Sequence, residues 1–497
     1  MDSSEIVLEF IKRQEIMSAE RSGLERQWRQ ISEYILPQRG DFKEEYQQPL
    51  PYSEKVFDGT AGLAAYNLAS GLWSMMTNSA TEWFNLQCHN HEMNDQPIIR
   101  LWLDHATNIM RQGFAAQGGK FYSRILDLYL DLVCFGTAIF YVEQNSKRSG
   151  IHYSCRHLSE CFIAENYCGE VDTIIRKFSL TARQAYQLWN ERCHYKIIKA
   201  LDRYPEQKFN FLHVVVPCDE MPKDLLDHKD KKFSSFYIDI GHKNILSVGS
   251  YFEFPYMVPR WSTRPGHVYG DSPAMLAMAD VKMLNTMCKT TITSAQKMVD
   301  PPLLAVDEMA VRGIRTTPGG IIYGGLNANG QRLYEPLSTQ GNIGLGFEIE
   351  EQRRQAIKEI FFSSLMQMVQ QPNLTATEIL IKQEEKLRLM APHLGRLQTE
   401  FLDPLIDRQF ALMARSGCFP PLPEEMGPNP IMKIDYVSPL ARVQKNAEGM
   451  AILRSVEALL PMANYDPSVL SIVDPYAYGR SIVDAFGAPQ KILRMNL

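Results

Sequence analysis

Three lysines, Lys282, Lys289 and Lys297, fall within about a quarter turn of one another on a helix that advances ~100° per residue. A stripe of ammonium groups attracts phosphate, although on an isolated helix it is ordinarily a solvated face. Gln370, Gln371 and Asn373 offer a second kind of chemistry, polar contact without charge, in the segment VQQPNLTAT. Catalytic patterns are poor by comparison. Gly118-Gly119-Lys120 runs into Phe121, where a phosphate-binding loop needs Ser or Thr, so the segment reads as a plain loop. Gly341, Gly344 and Gly346 carry a dinucleotide-loop spacing only in reverse order. His89 and His91 could share a strand face and hold a metal, but with no third ligand nearby they read as surface histidines. The nine cysteines contain no C-x-x-C pair, and Cys155, Cys161 and Cys168 lie too far apart for a zinc knuckle. They read as buried free thiols in a reducing compartment. With no G-x-S-x-G elbow and no H-E-x-x-H, no catalytic residue, metal or cofactor is assigned.

The chain of 497 residues has roughly three domains' worth of core. Hydrophobic residues at 45% and charged residues at 22% argue against extended disorder. The net charge of −5 gives no overall basic footprint for gripping nucleic acid. The start MDSSEIVLEFIKRQ mixes acids with apolar residues and shows no signal-peptide core. The best apolar run, Leu128 to Val142, is interrupted by Asp131 and Gly136, so no membrane span and a cytoplasmic setting are expected.

The elements that would position these residues form an α+β chain, mostly helical at its start. Apolar spacing predicts one or two helices over Ser4–Leu36, then helices over Thr60–Thr77, Pro97–Gly113 and Phe121–Cys134. The Thr60 helix carries a small-residue face of Gly62, Ala65 and Ala69. After Gly136, β-branched and aromatic runs predict strands at 137–143, 151–156, 173–178, 209–216, 235–240 and 244–254, with short helices near 181–190 and 195–201. Turn residues from Arg264 to Ser272 lead into a long helix, Pro273 to Met298, which Pro301-Pro302 stops. Its second half is rich in small polar residues, among them Thr290 and Ser294, and suits close packing against a neighbour better than a Leu/Ile core does. A glycine-rich β insert follows, then a second long helix over Glu348–Met368. A very long helix from Thr377 to Ser416 should be bent or divided by Pro392 and Pro404. A strand at Ile431–Val437 and two terminal helices complete the chain.

The run RPGHVYGDSPAM, the helix with Asp280, Lys282 and Leu284-Asn285, and Asp300-Pro301-Pro302-Leu303-Leu304 together resemble the portal protein, or head-to-tail connector, of short-tailed bacteriophages. Gly71-Leu72-Trp73, Glu82-Trp83-Phe84, Thr375-Ala376-Thr377-Glu378 and Ser438-Pro439-Leu440-Ala441-Arg442 agree with it in order along the chain. The resemblance implies a mostly helical portal fold assembled as a dodecameric ring: wing 1–272, stem helices 273–300 and 347–368, clip 301–346, channel loop 369–377, kinked helix and wing strand 378–440, crown 441–497. It implies a non-enzymatic channel at one capsid vertex for genome packaging, head–tail joining and ejection. Its partners would be a terminase, capsid and scaffolding protein, a tail adaptor and non-specifically bound double-stranded DNA, with no membrane. Lys282, Lys289, Lys297, Gln370, Gln371 and Asn373 become candidates to line the channel. Gly62, Ala65, Ala69, Thr290 and Ser294 become candidates for subunit contact. The other readings are a nucleic-acid-processing enzyme with a helical oligomerisation region, which the missing motifs disfavour, and a tail adaptor, which would be shorter.

Overall fold

The computed structural model describes residues 3–39, 56–144 apart from two single positions, 150–220, 231–305, 326, 329–337, 343–363, 388–426, 432–436, 449–457, 459 and 474–485. The chain divides into two compact units. One holds Met1–Trp28, Tyr66–Pro273 and Leu365–Leu497; the other holds Arg29–Ala65 with Ala274–Ser364.

The larger unit is mixed helix and sheet. Its helices are α1 (Ser3–Tyr34), α2 (Thr60–Met76), α3 (His91–Asn94), α4 (Pro97–Ala115) and α5 (Phe121–Phe135), of which the early part of α1 and the later part of α2 belong here. Strands β1 (Phe84–Cys88), β2 (Ile139–Gln144), β3 (Ile151–Arg156), β4 (Cys161–Glu165) and β5 (Val171–Thr181) lead to helices α6 (Ala182–Trp189) and α7 (Tyr195–Arg203). Then come β6 (Lys208–Pro217), β7 (Phe233–Asp239), β8 (Asn244–Tyr251) and β9 (Tyr256–Met257). An antiparallel sheet runs in the order β4-β5-β6-β7-β8. Both of its faces are covered, which is why β6 reads as a continuous apolar run. Leu212, Val214 and Val216 pack with Ile6, Val7 and Phe10 of α1. Phe211, from the opposite face, packs with Ala182, Trp189 and Ile197 of α6 and α7. Each such side chain buried is worth about 1.5–3 kcal/mol. Trp83 and Phe84, their rings 4.5 Å apart, are buried core residues here.

In the smaller unit α8 (Pro273–Val299) is followed by the antiparallel pair β10 (Leu303–Ala305) and β11 (Tyr334–Pro336), then by α9 (Ile343–Ile360). The described residues 29–39 and 56–65 belong to the same unit as this helix pair, whereas the sequence reading placed them in the 1–272 segment. The second helix begins at Ile343, earlier than the expected start at Glu348, and its regular turns end at Ile360, shortly before Phe362 takes a φ of 53°; positions 364–368 of the expected helix lie outside the described residues.

Back in the larger unit, α10 (388–397) passes through Pro392 unbroken, and a π-helical turn, Gln398–Leu402, joins it to α11 (Asp403–Arg415). Pro404 is the proline that divides the helix. Lacking an N–H, it sits in the first turn of α11, and the widened turn before it absorbs the mismatch. Strand β12 (Met432–Tyr436) pairs antiparallel with β1, and helices α12 (449–457) and α13 (Pro475–Ala485) follow. The sequence reading missed β1, β4, β9 and β11, all short, and found β12. His89 and His91 do not share a strand: β1 ends at Cys88, His89 is exposed in the following loop, and His91 opens α3. The cysteines also divide. Cys88, Cys134, Cys161, Cys193 and Cys288 are buried, whereas Cys168 and Cys418 are exposed.

Candidate channel helices and their supports

Helices α8 and α9 run antiparallel, tied at the middle of α9 by Arg353 Nη1 to Asp280 at 3.2 Å and, one turn earlier, by Thr291 Oγ1 donating to Glu350 at 2.6 Å. Thr291 Oγ1 would lie 3.5 Å from a Cβ placed on Gly346, so the helices approach closely there. The segment before α2 is clamped onto the pair. Arg354 Nε donates to Asp58 at 2.8 Å, and its Nη2 donates to Glu350 at 3.0 Å. The Asn285 carboxamide oxygen accepts from the backbone N–H of Phe57 at 2.8 Å while its nitrogen donates to Val281 O at 3.0 Å. Asp58 caps α2 by accepting from the Thr60 N–H at 2.8 Å. Burial opposes ionisation of Asp58, but the Thr60 donors and the Arg354 guanidinium outweigh it and hold the carboxyl below its usual range. Burial, with Glu350 and Asp58 close by, pushes the neighbouring Cys288 thiol up to about 11. Its thiolate is therefore not available as a nucleophile at neutral pH.

The lysine stripe does not behave as one group. Lys282 is half-buried and donates to the Gln30 side chain at 2.8 Å. Lys289 is exposed, its ammonium 5.8 Å from the centre of the Phe57 ring, and Lys297 is exposed on the last turn of α8. Gln370, Gln371 and Asn373, with the rest of 369–377, lie outside the described residues. Among the small residues, Ala65 and Ala69 are wholly buried within the chain and keep no surface for a neighbour. Gly62 lies against the Ile35 carbonyl, which a Cβ would meet at 2.9 Å. Thr290 is exposed and Ser294 half-buried, so these two remain open for contact.

In the larger unit the motif leading into α8 is a buried structural knot. Arg260, 5% exposed, donates its backbone N–H to Glu400 at 2.9 Å and Nη2 to Glu400 at 2.8 Å and to Gly169 O at 3.0 Å, and pairs with Glu165. Glu400 lies in the π-helical turn, which aims its carboxylate at that guanidinium. Gly136, at φ 76°, and Gly270 touch backbone to backbone, and a Cβ on either would overlap the other's carbonyl oxygen. Ser272 Oγ donates to Cys134 O at 2.7 Å, and the Gly270 N–H donates to Thr137 Oγ1 at 2.9 Å. Arg264 pairs with Asp271 on the surface. Sequence reasoning saw turn chemistry in this run and missed the arginine at its centre.

Among the described residues no His, Cys, Asp and Glu side chains gather in a cluster fit for a metal ion, and no helix is long and apolar enough to cross a membrane. The chain matches the family described as bacteriophage head to tail connecting protein over residues 8–493, and it belongs to that family. It is a connector between a phage head and its tail, and not an enzyme. It is 28% identical over 498 residues to a probable portal protein of Bordetella phage BPP-1, covering 96% of this chain and 87% of that one. It is also 28% identical over 467 residues to the portal protein of Salmonella phage epsilon15, covering 92% and 83%.

Proposed function

We propose that copies of this chain close into a dodecameric ring at one capsid vertex and form the channel for double-stranded DNA during packaging and ejection. The observation that carries the reading is the family match over residues 8–493, joined to a buttressed helix pair that brackets the 301–342 insert. In this reading 273–300 and 347–368 are the stem, 301–346 is the clip that meets a terminase and later the tail adaptor, and 369–377 is the channel loop. Residues 1–272 and 378–440 form the wing, 441–497 the crown, and residues 29–65 brace the stem. Capsid and scaffolding proteins surround the ring, which assembles in the host cytoplasm. Lys297 lies against passing phosphates as a light contact, and Gln370, Gln371 and Asn373 touch DNA without gripping it. A net charge of −5 per copy suits such a wall, because few contacts mean little friction. In packaging assays, Lys297→Glu is expected to reduce DNA retention while rings still form. Unchanged packaging and retention would remove Lys297 from the channel, and heads that fill without this protein would overturn the function.

A further inference from the structure

On α8 the exposed residues Leu276, Ala279, Met283, Thr286, Thr290 and Thr293 follow alternating steps of three and four, the 3.5-residue repeat of a helix seam that expects a partner helix. Leu276 and Met283 are 71% and 47% exposed, which is large for apolar side chains. The threonines make the rest of the seam apolar as well. Thr286 Oγ1 donates to Lys282 O at 2.9 Å, Thr290 to Thr286 O at 2.9 Å and Thr293 to Lys289 O at 2.8 Å. With the hydroxyls satisfied by their own helix, the seam presents small surfaces with little polar group to desolvate.

The outer face of α9 is of opposite character. Glu348, Glu351, Gln355 and Glu359 are exposed, and Lys289 flanks the α8 seam at the position where coiled coils place interhelical charges. A rotation axis running along the helix pair keeps each residue at its own level in every copy. Gly346 marks the level of Thr291, so equal steps back along α8 and forward along α9 set Lys289 level with Glu348 and Met283 level with Arg354, one residue from the outward-facing Gln355. We propose that the exposed seam of α8 packs against the acidic outer face of α9 in the adjacent copy of this chain, with Lys289 facing Glu348 across the interface. The proposal rests on the ring reading above and names the surface that closes the ring. It assigns Lys289 to the neighbour, whereas Lys297 lies past the level at which α9 begins.

The test is a double variant, Met283→Cys with Gln355→Cys, made in a full-length chain in which the exposed thiols are removed by Cys168→Ser and Cys418→Ser. After mild oxidation the proposal predicts a ladder of covalent multimers on a non-reducing gel, absent when either new cysteine is left out. Electron microscopy of the same preparation separates the two levels of the argument. Rings without a ladder, or with a cross-link only inside one chain, would place the interface elsewhere and leave the ring reading standing. Absence of rings in both this preparation and the unsubstituted protein would sink the ring reading and the interface with it.

Discussion

Replacing Arg354 by Met should loosen the braced helix pair more than any surface change. The guanidinium joins Asp58, whose side chain is 9% exposed, to Glu350, whose side chain is 3% exposed. Removing the cation leaves two buried carboxylates facing each other, and breaking such a pair costs about 3–5 kcal/mol. Asp58 keeps its bond from the Thr60 N–H and Glu350 keeps its bond from Thr291, so the low end, about 3 kcal/mol, is expected. At ~1.4 kcal/mol per factor of ten, hydrogen exchange of amides in α8 and α9 should accelerate roughly a hundredfold. The control is Lys358→Met. That lysine lies 3.8 Å from Glu351 with both side chains exposed, and should change exchange little. Acceleration of less than about tenfold in Arg354→Met would refute the clamp. The sign with pH follows from the lowered Asp58 value: its contribution is complete above its unfolded pKa of 3.8 and is lost as pH falls through the lower folded value.

Gly136→Ala combines a left-handed φ with overlap of the Gly270 carbonyl, and should lower stability by at least about 2 kcal/mol, read as an earlier thermal transition; an unchanged melt would contradict the close approach. His213 is buried between Tyr256 Oη at 2.7 Å and Ser235 Oγ at 3.0 Å, and burial, then Arg176 and Arg156, hold its imidazole well below its ordinary value of 6.5. The unfolded chain takes up that proton first, so this contribution is complete above about pH 6.5 and falls by about 1.4 kcal/mol per unit below it. His213→Gln should flatten that slope in urea titrations at successive pH values, and an unchanged slope would mean that another group titrates. At pH 8, iodoacetamide should label Cys168 and Cys418 rapidly and spare Cys161 and Cys288, whose thiols are pushed up to about 12 and about 11; labelling of all four at one rate would contradict their burial.

Much of the fold was legible because its signals are local. Pro273 and Pro301-Pro302 bracket α8 to within a residue, and β-branched runs mark β5 to β8 because two covered faces demand continuous apolar strands. Strands β1 and β4 have only five residues each, too few for a period to stand out. The supports were illegible for a different reason. Arg354 meets Asp58 across 296 positions and Asn285 meets Phe57 across 228, and neither pairing leaves a mark in spacing. Ala65 and Ala69 form a small-residue face as read, but small residues serve packing inside a chain as well as between chains, and here they are buried inside it. The lysine stripe was correctly placed on α8, while the Gln30 carboxamide that draws Lys282 inward lies on another helix. The whole-chain order of motifs, from Gly71-Leu72-Trp73 onward, was the part of the sequence that spoke of function, and the family match over 8–493 agrees with it.

The most direct test of the central claim is end-on electron microscopy of the purified protein, with subunits counted around the particle. The account predicts closed rings with a central hole wide enough for a DNA duplex. Monomers or compact dimers that persist at high protein concentration would contradict it.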